Sequence, residues 1–244
     1  AINATLYDKL PFDFMRDIAP VSGIMRVPNV MQVHPTFPAK TVAELIAYAK
    51  ANPGKLNYGM VGRGSAQEIL ALELGKATGI QMTGVPFRGT GPAMNDLIGG
   101  QFDVMCDQTT GTTNQIKEGK IRGYAVTTKF KVASLPELPT LDSTAIRGFE
   151  VSAWHAMWAP KGLPRDVSDK LVSALQIALK DPKVIERFAS LGTEPVAPAM
   201  ATPEVLKSHL AAEVPRWAAV IKAAGVKGGA ELVEALAEPG QVAF

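Results

Sequence analysis

Short apolar runs alternate along this chain with stretches whose apolar residues recur every three or four positions. This is the pattern of β-strands joined by helices in a mainly parallel sheet. Residues 18–34, IAPVSGIMRVPNVMQVH, read as two short strands around Pro28. Thr41, with Glu44 three residues on, makes a capping box that opens a helix reaching Lys50, and Asn52-Pro53-Gly54 closes it. A strand over 56–59 follows, then the loop MVGRG and a helix over 65–78 with Gly79 just past its end. The plan repeats as strand 81–85, helix 92–98, strand 102–106, helix 112–118 and strand 122–126. Those four strands and three short crossovers predict a compact α/β domain over residues 38–128.

Residues 129–150, with LPELPTLDS at their centre, read as an irregular connection. Residues 151–159, VSAWHAMWA, read as a strand, and the rest is helical over 166–179, 182–191 and 202–224, the last opening on Thr202-Pro203-Glu204. The segments before Pro38 and after Val151 contain many helices and few strands, too few to complete an α/β domain by themselves. Either they pack as a partial domain, or a segment upstream of Ala1 belongs to them.

Composition narrows the class. At 244 residues there is room for one large or two modest domains, and 47% hydrophobic residues suffice for a real core. The 25 basic and 23 acidic residues are interspersed, with no basic run longer than a pair, which argues against a nucleic-acid partner. The single cysteine, Cys106, excludes an intrachain disulfide and, lacking a nearby His, makes a poor metal site, so no cofactor or metal is expected. No apolar run approaches the roughly 20 residues that span a bilayer. The chain opens on AINATLYDKLPFDF, a polar and aromatic segment, rather than on a secretory leader.

Candidate chemistry gathers at two strand–helix seams. In GMVGRGS, residues 59–65, Gly62 and Gly64 let backbone approach a ligand, and Ser65 stands where an N-cap belongs. Free N–H groups and the helix dipole there suit an anion, although a tight turn with a capped helix accounts for the same residues. The loop matches neither a dinucleotide fingerprint, a P-loop nor a hydrolase elbow. The second seam is Phe87-Arg88-Gly89-Thr90-Gly91-Pro92, where Arg88 either supplies positive charge or lies on the surface. Asp107 ends the next strand at the same edge; it either accepts from a ligand hydroxyl, amine or water, or caps the turn that follows. Loops at the carboxyl ends of such strands point their amides into one crevice. Cys106 should face the opposite way from Asp107, as a buried structural thiol. His155 has no nucleophile with a matching acid at a recognisable spacing.

Several separated segments resemble one family in order: AKTVAELIAYAKANPGKLNYGMVGRGSAQEILALEL, GVPFRGTGPAMNDLIGGQFDVMCD, WHAMWAPKGLPRDVSDKL and DPKVIERFASLGTEPV. They are similar to the solute-binding proteins of tripartite tricarboxylate transporters, the Bug family, over almost the whole chain. The resemblance implies a periplasmic, non-enzymatic protein with two α/β domains of the type II binding-protein architecture, closing on a small organic carboxylate and handing it to membrane permease subunits. It places residues 35–150 in the second domain and 1–34 with 151–244 in a discontinuous, incomplete first domain. By position it assigns Met60, Gly64, Ser65, Phe87, Arg88, Gly89, Thr90 and Asp107 to the ligand. Amides and the Ser65 and Thr90 hydroxyls would hold a carboxylate, and Asp107 would read the remainder.

Two departures stand out. Family members begin with further βα units that supply the other wall of the cleft, and this chain has no match to them; a half-built domain would also invite association with a second copy. Met60 and Val61 replace smaller or polar residues, which implies room for an apolar part of the ligand. Two alternatives remain beside transport: a ligand sensor for a signalling partner, and an enzyme acting on a carboxylate with Asp107 or His155 as base.

Overall fold

The computed structural model describes residues 3–6, 10, 12–62 and 64–224. In chain order its elements are α1 (Asn3–Leu6), α2 (Phe14–Asp17), β1 (Ile18–Val33), α3 (Val42–Ala51), β2 (Leu56–Met60), α4 (Ala66–Thr78), β3 (Met82–Pro86) and α5 (Thr90–Ile98). Then come β4 (Val104–Gln108), α6 (Thr109–Lys117), β5 (Arg122–Val126), α7 (Leu141–Thr144), β6 (Ser152–Pro160), α8 (Arg165–Ala178), α9 (Pro182–Ser190), β7 (Glu194–Pro195), a 3-10 turn (Pro198–Met200) and α10 (Pro203–Ala224). The chain is α/β, and it divides into two compact units. The central one is Met25–His155 with Asp181–Pro195; the flanking one is formed by the described residues of Ala1–Ile24, Ala156–Lys180 and Val196–Phe244.

Local chemistry sets the helix ends. Thr41 Oγ1 accepts from the Glu44 N–H at 3.2 Å while Glu44 Oε2 accepts from the Lys40 N–H at 2.8 Å, a capping box for α3. Gly79, at φ 75°, ends α4 by donating its N–H to the Gly75 carbonyl. Asp181 caps α9, with Pro182 at its first position, and Thr202 Oγ1 accepts from the Val205 N–H at the start of α10.

The central sheet runs β3-β2-β4-β1-β5. Strand β2 is parallel to β3 and β4, whereas β1 lies antiparallel between β4 and β5. This corrects the sequence reading twice. β1 is one strand of 16 residues rather than two around Pro28. Pro28, which has no N–H, falls between the residues that pair with β7 (Met25, Arg26) and those that pair with β4 (Asn29 onward). β4 starts two residues later than its apolar run suggests, because Asp103 Oδ2 accepts from the Asn57 N–H at 2.8 Å instead of joining the ladder.

One core cluster joins Ala93, Met94 and Leu97 of α5 to Phe102, Met105 and Ile121. A second joins Val30 and Val126 to Val132, Leu135 and Leu138, and Ile116 of α6 packs against both. Gly59 makes room for this core: a Cβ there would lie 2.6 Å from the Phe102 ring. The segment 129–150 is thus a packed connection, with α7 inside it. In the flanking unit the Phe14 and Trp158 rings meet edge to face at 4.9 Å. They border a hollow of about 170 Å³ that Met15, Ile18, Lys207 and Leu210 also line.

Candidate functional site

The carboxyl ends of β2, β3 and β4 lie side by side, each leading into a helix, all within the central unit. Met60 is buried at the end of β2, and its carbonyl accepts from the Phe87 N–H at 2.8 Å, which ties the two seams together. Gly62 and Gly64 take φ values of 97° and 72°, backbone that only glycine adopts readily. Arg63 lies outside the described residues.

Two amides at the start of α4 are taken up from within. Ser65 Oγ accepts from the Glu68 N–H at 3.3 Å, and the Glu68 carboxylate accepts from the Gly64 N–H at 2.5 Å. Ser65-Ala66-Gln67-Glu68 is therefore a capping box whose acid, 1% exposed, sits on an amide that the sequence reading offers to a ligand. The spacing Ser-x-x-Glu was the available signal for it.

The start of α5 is different. Gly89, at φ 135°, is its N-cap and provides no side-chain bond, and no acid occupies the first turn. Thr90 and Arg88 are exposed there, while the Phe87 ring packs on Phe102 at 5.2 Å and joins the core. Helix α6 likewise begins, at Gln108, without a side-chain cap.

Asp107 lies inside β4, one residue before its end, and is 2% exposed. Gln67 Nε2 donates to its Oδ1 at 3.0 Å. A Cβ built on Gly111 would lie 3.4 Å from Oδ2, so the second oxygen rests against the first turn of α6. Burial raises the Asp107 pKa above the usual carboxylate range, opposed by hydrogen bonds from the Gln108 backbone and Gln67. Cys106 points to the opposite face, and burial, then the Asp107 charge, push its pKa up to about 12, leaving an unreactive thiol. His155 Nε2 lies 3.2 Å from Gln108 Oε1, and desolvation of the ring lowers its pKa. Among the described residues no three His, Cys, Asp or Glu side chains gather as a metal site, and no helix is long and apolar enough to cross a membrane.

The structure thus brings Met60, Gly64, Ser65, Gly89, Thr90 and Asp107 to one edge of one sheet, with the Arg88 side chain at the surface and the Phe87 ring turned to the core. It adds Gln67, Glu68 and Gln108, which motif reading passed over.

The chain is similar to known proteins in sequence and in fold. A curated relative from Agrobacterium vitis, the UPF0065 protein in the TAR-I ttuE-ttuC' intergenic region, is 47% identical over 222 residues, covering 91% of this chain. The chain spans only 64% of that relative's length. The periplasmic binding protein BugD superposes with a TM-score of 0.87 at 42% identity, over 93% of this chain and 76% of BugD. MatC from Rhodopseudomonas palustris, solved with bound malate, superposes at 0.84 with 32% identity, over 90% of this chain and 75% of MatC. The model of the tripartite tricarboxylate transporter family receptor matches residues 1–226, and the chain belongs to that family.

Proposed function

We propose that this chain is a periplasmic receptor that binds a small organic carboxylate at the carboxyl edge of its central sheet and delivers it to a transporter's permease subunits. The observation that carries the reading is the contrast between helix starts at that edge. Ser65 caps α4 and Glu68 takes the Gly64 amide just before it, whereas α5 and α6 begin without side-chain caps, beside the buried Asp107. Amides at 89–91 and 109–111 then receive the ligand's carboxylate, with the Thr90 hydroxyl beside them and the Ser65 hydroxyl at the edge. Asp107 accepts from a polar group elsewhere on the ligand, Arg88 adds positive charge, and Met60 borders an apolar portion. MatC, whose bound ligand is malate, supports a carboxylate as the ligand class.

A thermal-shift panel of mono-, di- and tricarboxylates, aromatic acids and amino acids tests this. A ligand that binds only the native state adds about 2.7 kcal/mol of stability at a hundredfold excess over its Kd. At least one acid is expected to raise Tm in a concentration-dependent way; a folded chain unmoved by the whole panel contradicts the proposal.

A further inference from the structure

One buried side chain at this edge has no structural use for its polar atoms. Asn29 is 1% exposed, and neither its Oδ1 nor its Nδ2 has a hydrogen-bond partner among the described residues. A buried carboxamide in that state bears the desolvation penalty of both groups. The backbone does not need it. The Asn29 N–H donates to Thr127 Oγ1 at 3.1 Å, and the Asn29 carbonyl accepts from the Thr127 N–H at 2.9 Å and from Thr127 Oγ1 at 3.2 Å.

Its position is informative. Asn29 stands directly opposite Gln108, the last residue of β4. Opposed residues of an antiparallel pair share a face, with Cβ atoms about 5 Å apart. Gln108 is half-buried and holds His155 through its Oε1, so Asn29 lies beneath a polar pair that reaches the surface. Met31 and Cys106, the next opposed pair on that face, floor the spot with apolar atoms. Gln32 is also buried without partners among the described residues, but it lies one residue from the end of β1, opposite Met105 near the start of β4 and opposite Gly123, away from the carboxyl edge. Among the described residues only Asn29 and Gln32 leave both ends of a buried amide without a partner, and of these only Asn29 is at the carboxyl edge, beside the start of α6.

We propose that Asn29 is a specificity-determining residue whose carboxamide pairs with a hydroxyl of the bound acid, so that hydroxy acids bind in preference to their unsubstituted analogues. The inventory of donors and acceptors selects the group. A carboxamide offers one acceptor and one double donor. An ammonium would use only the acceptor, a carboxylate only the donors, and a methylene neither. A hydroxyl is the smallest group that meets both.

The inference rests on the carboxylate-receptor reading, and the test separates the two. Calorimetric titration of the full chain with malate and with succinate is compared between the wild type and Asn29→Leu. The wild type is expected to favour malate by roughly tenfold or more, because succinate leaves the buried amide unmatched. In Asn29→Leu, malate affinity falls by about that factor and succinate affinity stays within roughly threefold, while the free protein melts no lower than the wild type. If the leucine variant does not fold, Asn29→Thr, β-branched and suited to a strand, must lose the same discrimination. A variant that keeps wild-type discrimination, or that loses both acids equally, overturns the role of Asn29 and leaves the receptor reading intact. A wild type that binds no carboxylate overturns both.

Discussion

Helices α5 and α8 make an instructive pair. Both are amphipathic in sequence, yet α5 buries Ala93, Met94 and Leu97 in nine residues, whereas α8 buries none of its fourteen. Ile177 of α8 is 72% exposed, and Val167 is exposed as well. α5 belongs to the central unit, where its apolar stripe meets Phe102, Met105 and Ile121; α8 belongs to the flanking unit. Periodicity identifies which face of a helix is apolar, but what covers that face is settled by residues elsewhere in the chain. The candidate site follows the same division. It lies at an edge whose strands and helix starts are anchored in the densely packed core of the central unit, which keeps its backbone donors in place.

The contrast between α5 and α8 yields the largest expected effect. Leu97→Ala should cost about 2–5 kcal/mol, since it opens a cavity in a filled core. Ile177→Ala should stay within about 0.5 kcal/mol, as an exposed position does. Urea denaturation of both variants measures the difference, and equal costs would erase the distinction between the two faces.

A smaller effect is expected at the site itself. Burial raises the Asp107 pKa, so the folded chain holds this proton more tightly than the unfolded one. The stability Asp107 contributes is then complete below its unfolded pKa of about 3.9 and declines as pH rises through the higher folded value. Asp107→Asn, which keeps an oxygen for Gln67, should raise Tm at neutral pH and leave it unchanged in acid. A variant less stable across the whole range would show instead that the carboxylate is a structural tie between α4 and β4.

Much of this was legible in the chain itself, and the exceptions share a cause. β5 lies at the positions its apolar run predicts, Arg122–Val126, and α4 ends at Gly79 as its glycine indicates, because both depend on nearby residues. The family was legible as well, from four separated segments in order. β1 was not, since its continuity through Pro28 depends on partners as distant as Gln108 and Val126. The start of β4 was hidden by a side-chain bond from Asp103 to a residue 46 positions away. At the site, the glycine and hydroxyl positions were readable as a seam. The internal acid Glu68 was signalled by the spacing Ser-x-x-Glu, whereas the orphaned amide of Asn29 became visible only in the folded chain.

The central claim is that ligand binding occurs at the carboxyl edge of the central sheet. Amide chemical-shift mapping of the isotope-labelled chain titrated with malate tests it most directly. The largest shifts are expected at Gly89, Thr90 and Gly91, at the start of α6, and at Asp107. Shifts confined to the surroundings of the hollow near Phe14, Trp158 and Leu210, with the strand ends unmoved, would contradict it.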